Sequence, residues 1–195
     1  MCRRDEALEG HVLLGLFFSL ASLILLILIT FSAPFIPSIH FLSAASTRYG
    51  AFGYCTAAEC VKPVLGYRSV GGEITEWLTR THIMFGLAAL FMLISLIALI
   101  LSVLQLGKIM RNPIFFRSTA LIGTALSLLA IIFALINFVQ ARNRFNANGL
   151  VASYGAALWM GLGAAISALL AAAIGGPKIT ASYLYRADNR VAYNL

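Results

Sequence analysis

Few side chains in this sequence could ligate a metal, attack as a nucleophile or exchange protons near neutral pH: three cysteines and three histidines. Cys55 and Cys60 lie close together, while Cys2 stands alone near the N-terminus. Two thiols at this spacing can close a disulfide where they face an oxidising compartment, or supply half of a tetrahedral zinc shell. The zinc alternative lacks its other half, since no further cysteine or nearby histidine completes the set. A disulfide is the expected chemistry, worth only about 2 kcal/mol on the chain-entropy model for so short a loop. His11, His40 and His82 fall at the borders of apolar blocks or between them, in no metal-ligand spacing.

Chemistry or ion movement inside a membrane would need ionisable groups within the apolar blocks. The block interiors contain none, so the sequence calls for no catalytic residue, no metal and no cofactor, and it offers no polar face for a pore. Asn137, Gln140 and Gln105 sit near block ends, where interhelical hydrogen bonding or interfacial solvation is their expected role.

The composition explains why chemistry is so sparse. Of the 195 residues, 61% are hydrophobic and 11% charged, with a mean hydropathy of +0.91. A soluble domain carries charge on about a quarter of its residues, so lipid must be the main solvent here. The formal charge of +7 forms no stripe or cluster, which argues against a nucleic-acid partner. The cations occupy the gaps between apolar blocks, where they can reach headgroups, and the lipid bilayer is the first partner.

Uncharged stretches at about 12–31, 83–106, 118–139 and 151–174 are each long enough to cross hydrocarbon as a helix. The first also fits a cleaved signal, with Arg3 and Arg4 before it and Ser32 and Ala33 after it. It is longer than the usual signal core of about 7–15 residues, and Asp5, Glu6 and Glu9 dilute its positive start. Eight of the 14 Lys and Arg residues fall on the side of the two termini and six on the other, which predicts cytoplasmic termini. The longest connection, about 32–81, would then be extracellular, and a tail at about 177–195 cytoplasmic. In that loop Tyr49 to Cys55 and Cys60 to Tyr67 read as two strands. The expected fold is an all-α membrane protein: a single four-transmembrane-helix domain with a small disulfide-stapled antiparallel β-sheet in the first extracellular loop.

Near the fourth span Ser153, Ala157, Gly161 and Ala165 repeat at i+4, as do Ala164, Ala168, Ala172 and Gly176. Such smooth faces allow close backbone approach in lipid, either within the bundle or, as the alternative, against a second copy or another membrane protein. Cys2 beside Arg3 and Arg4 is a candidate for S-acylation.

The loop reads Gly50-Ala51-Phe52-Gly53-Tyr54-Cys55, then Cys60, then Leu65-Gly66-Tyr67, and Tyr154-Gly155-Ala156-Ala157-Leu158-Trp159 opens the fourth span. This pattern in a four-span frame resembles the fungal SUR/PalI family of claudin-like membrane proteins, including the PalI pH-response regulator type. The resemblance implies a non-enzymatic plasma-membrane protein that organises membrane domains or assists a receptor, channel or wall synthase. It also implies links to cortical compartments, cell-wall integrity or ambient-pH signalling. An auxiliary channel regulator, as in claudin-like mating proteins linked to calcium entry, is the alternative. On the residues alone, Gly50 and Gly53 permit close packing of a strand, and Phe52 and Tyr54 either pack inward or face a partner ectodomain. The pH-signalling association would make His40 and His82 candidate proton sensors, since imidazole titrates near pH 6.5.

Overall fold

The computed structural model describes residues 10–69, 71–104 and 113–175; Cys2, Gln105, Gly176 and the tail lie outside them. Among the described residues four helices are long and apolar enough to cross a membrane: α1 (Gly10–Thr30), α3 (Ile83–Val103), α4 (Pro113–Ala147) and α5 (Ala156–Ile174). Their Leu-, Ile- and Ala-rich sequences satisfy every mid-span backbone group internally, as hydrocarbon requires. Helix α1 packs between α3 and α5, and α4 packs against the same two neighbours, giving a closed four-helix arrangement. Leu26, Ile29, Phe85, Met92, Leu99, Ala134, Phe138 and Ala168 point into it. Phe17, Ile24, Leu90, Leu121, Ile132 and Ile166 point out, an apolar exterior suited to lipid.

With 21 residues α3 is about 31 Å long, close to the hydrocarbon thickness, whereas the 35 residues of α4 extend about 52 Å. The surplus stands out of the bilayer on the side of the long loop. The sequence suggested a short turn near 140–150, but the helix runs on to Ala147 because no glycine or proline interrupts it before Gly149. There the Leu150 amide donates to Phe145 O and the Gly149 amide to Asn146 O, with Gly149 at φ +76°. This is a Schellman stop, whose left-handed residue glycine tolerates best.

The sheet comprises β1 (Leu42–Ala44), β2 (Thr47–Tyr49), β3 (Tyr54–Cys55) and β4 (Ala152–Tyr154), antiparallel in the order β3-β2-β1-β4. It differs from the two strands expected at 49–55 and 60–67. Residues 50–53 form a loop between β2 and β3. Residues 60–67 run alongside with one bridge from Cys60 to Cys55, and their Val61 and Val64 amides donate to Tyr54 O and Phe52 O. Pro63, which lacks an N–H, prevents a continuous ladder. The β1–β2 hairpin turns through Ala45 and Ser46, both at positive φ, where the usual Asn-Gly signal is missing. Strand β4 comes from the third connection, so the fourth span begins at Ala156 and not near 151, and the first loop does not build the sheet alone.

Registration places Tyr54, Tyr49, Leu42 and Tyr154 in one row across the sheet and Cys55, Arg48, Ser43 and Ser153 in the adjacent row. Successive strand residues face opposite ways, so the first row meets the bundle and the second faces away from it. The protruding end of α4 packs under the aromatic row: Phe145 stacks with Tyr49 at 5.7 Å, and the Arg142 guanidinium lies 4.6 Å from the Tyr154 ring centre.

Candidate functional site

The loop signature sits where α1 ends, the sheet begins and α3 enters the bundle. Gly50 presses on the Ala33 backbone just past α1, so closely that a Cβ there would overlap the Ala33 carbonyl. The Ser32 hydroxyl accepts from the Ala51 amide at 2.9 Å. The Tyr67 hydroxyl donates to Gly50 O at 2.6 Å, while the Tyr67 amide donates to Thr79 Oγ1 of α2 (Glu76–Arg80) at 2.9 Å. Gly53 rests against the Pro34 ring, and Gly66 lies beside the Arg80 side chain. Gly50, Gly53, Gly66 and Tyr67 thus come together as a clamp joining α1, the sheet and α2.

Phe52 and Tyr54 are half-buried and packed against the core, with Tyr54 touching the rings of Tyr49 and Tyr67. Cys55 and Cys60 form a disulfide, Cys55 buried and Cys60 exposed. Beside it, on the face turned away from the bundle, opens a shallow depression of about 560 Å³ lined by Ser43, Arg48, Thr56 and Glu59.

His82 is fully buried, its ring 5.4 Å from that of Phe41 and 5.5 Å from that of Phe138 in near-parallel stacks. Its Nδ1 lies 3.3 Å from Ala51 O, a contact that selects the tautomer with the proton on Nδ1. The imidazole therefore ties the signature to α3 from inside the core. His40 is partly buried, and burial followed by the nearby Arg48 charge lowers its pKa below the usual 6.5. Among the described residues no group of three or more His, Cys, Asp or Glu could hold a metal.

Further residues hold this assembly: Gly155 and Asn137, which the sequence had singled out, and Arg144, Ser32 and Thr79, whose roles it had not indicated. Gly155 lies so close to His40 that a side chain would meet its carbonyl, and the Gly155 and Ala157 amides donate to Phe41 O and His40 O. Arg144 donates to Glu73 O at 3.2 Å, and Asn137 Oδ1 accepts from the Thr75 amide at 3.3 Å. Ser32 and Thr79 are equally central. All are long-range contacts with no local spacing signal, although glycine directly before the fourth span was visible. Gln140 is exposed on α4.

On α5, Ala157, Gly161, Ala164, Ala165 and Ala168 are buried and Ala172 is half-buried. The Ser22 hydroxyl of α1 donates to Ala164 O at 3.0 Å, and Gly161 faces Ile131 of α4. This small-residue face is thus turned into the bundle. Ser153 does not belong to it: it is exposed in β4, paired with Ser43, because the helix starts only at Ala156.

Burial pushes the Tyr49 hydroxyl up to about 12, with Glu73 and Tyr54 adding to the effect, and raises Tyr67 well above its usual 10. A raised folded-state pKa contributes stability that is complete below pH 10, the unfolded value, and is lost as pH rises through the folded value. Alkaline titration followed by phenolate absorbance should therefore show Tyr49 and Tyr67 ionising late, together with loss of the folded loop. Ionisation of both near pH 10 with the fold intact would contradict the burial of these two rings.

No curated protein matches the sequence. The SUR7/PalI family matches residues 11–173, a range that takes in the loop signature, the sheet and all but the ends of the four apolar helices. That is a family of membrane proteins not known as enzymatic. With four candidate membrane-spanning helices, a small antiparallel sheet and the Cys55–Cys60 disulfide, the chain belongs to the SUR7/PalI family and has its claudin-like four-span fold.

Proposed function

We propose that this protein is a non-enzymatic plasma-membrane component with cytoplasmic termini that organises membrane domains or assists another membrane protein. The observation that carries the reading is the engagement of the signature itself. The Tyr67 hydroxyl and amide bind Gly50 O and Thr79 Oγ1, and His82 Nδ1 binds Ala51 O, so these polar groups of the signature are spent within the protein. The signature fixes the loop rigidly on the bundle, so work on partners falls to the outer surfaces: lipid-facing helices and the polar face of the sheet. Cortical compartments, wall integrity and ambient-pH signalling are the settings that the family suggests. Partners would be a receptor, a channel or a wall synthase, or a second copy of the chain.

The test is crosslinking of the tagged protein in its native membrane with mass spectrometry of what co-purifies, comparing wild type with Arg48→Glu on the exposed sheet face. A defined membrane protein lost in the variant establishes an accessory role through the loop. Recovery of itself and cortical scaffold proteins, unchanged by the variant, establishes a domain organiser acting through its helices. Recovery of a lone monomer, with membrane domains undisturbed when the protein is deleted, overturns both.

A further inference from the structure

Five large apolar side chains lie in the segments that adjoin the loop-side ends of α1 and α3: Phe31, Phe35, Val64, Leu65 and Trp77, each exposed by about half or more. Their height can be read from their neighbours. Phe31 directly follows α1, whose last residue, Thr30, lies beside Gly86 in the first turn of α3. Phe35 meets Phe31 edge to face at 5.6 Å. Gly66, next to Leu65, lies against Arg80, and Tyr67 is bonded to Thr79. Arg80 is only three residues before Ile83, where the lipid-facing surface of α3 begins with an exposed side chain. At 1.5 Å per residue this places Arg80 about 5 Å above the start of that helix, at headgroup depth. Trp159, exposed in the first turn of α5, lies at the same end of the bundle.

We propose that this rim rests on the bilayer in which the helices sit, and that its partner is a lipid surface bearing anionic headgroups. Two observations select lipid as the occupant. The rim is continuous with the lipid-facing sides of α1 and α3, so covering it extends an existing apolar surface. Lys62 and Arg68 are exposed on either side of Val64 and Leu65, and cations at that depth reach phosphates while their stems lie on acyl chains. Glu59 and Glu73 are the nearest acidic residues in sequence; Glu73 is buried and accepts from the Ser69 hydroxyl, and the next, Glu76, is engaged by Arg80. The loop is thereby seated on the membrane, which fixes the polar face of the sheet in an outward orientation.

Fluorescence of a single tryptophan in nanodiscs tests this. In a Trp77→Phe/Trp159→Phe background, Leu65→Trp is compared with Ala57→Trp, an exposed position in the hairpin beyond β3. Both substitutions are at exposed sites, and formation of the Cys55–Cys60 disulfide verifies the fold. With phospholipids brominated high on the acyl chain, the probe at 65 should be quenched severalfold more than the one at 57. It should be shielded from acrylamide, and its quenching should rise with phosphatidylglycerol content. Lys62→Glu/Arg68→Glu should abolish that rise. Equal behaviour of the two probes would overturn lipid contact and leave the rim to a protein. Quenching at 65 that ignores phosphatidylglycerol would overturn the anionic-headgroup assignment.

Discussion

Gly50→Ala should unfold the loop, at a cost of about 3 kcal/mol or more. The added methyl meets the Ala33 backbone carbonyl, not the end of a flexible side chain, so the β2–β3 loop must move away from α1. Overpacking alone costs about 1–3 kcal/mol. The displacement also breaks the bond from the Tyr67 hydroxyl to Gly50 O, leaving a buried donor and acceptor unpaired at about 1–3 kcal/mol. Unfolding of the purified protein in detergent, with non-reducing electrophoresis of the Cys55–Cys60 bond, would measure this. Gly10→Ala is the control, since that position faces open space. Equal stability of the two variants would show that the clamp does not hold the loop.

Ala164→Leu should be the most damaging change within the bundle. Ala164 is fully buried between α5 and α1, and its carbonyl receives the Ser22 hydroxyl at 3.0 Å. Three extra carbons force the two helices apart, costing about 1–3 kcal/mol of packing, and detach a hydrogen bond that has no water to replace it. Ala173→Leu on the exposed side of the same helix adds the same volume into lipid and should be neutral. Thermal unfolding of both in one detergent separates the cases. If they melt together, the small-residue face does not pack inside the bundle and must serve an external partner.

The contrast between these positions shows where local sequence carries information. The i+4 series on α5 could be read because helical periodicity and residue size are local properties. Whether its face meets α1 or a second copy could not be read, because both demand small residues. Ser153 was drawn into the series by its spacing alone, although backbone pairing with Ser43, more than a hundred residues away, holds it in a strand. The β1–β2 hairpin was hidden for a different reason: Ala45 and Ser46 adopt positive φ without the residue types that announce it. The sequence placed His82 at a span border, and its stacking on Phe41 and Phe138 there joins three distant segments.

From the sequence alone come the membrane as solvent, the four apolar spans, the close cysteine pair and the glycine-aromatic signature. Each follows from composition or from spacing over a few residues. Only the tertiary structure decided that the third connection completes the sheet, that α4 stands out of the bilayer to support it, and that Gly50, Tyr67 and His82 form one clamp. Those features depend on which distant backbones approach, and a backbone approaches only where something small, such as Gly50 against Ala33 or Gly155 against His40, leaves room. The room is visible in the sequence as a glycine, but what fills it is set by the packing of the whole chain.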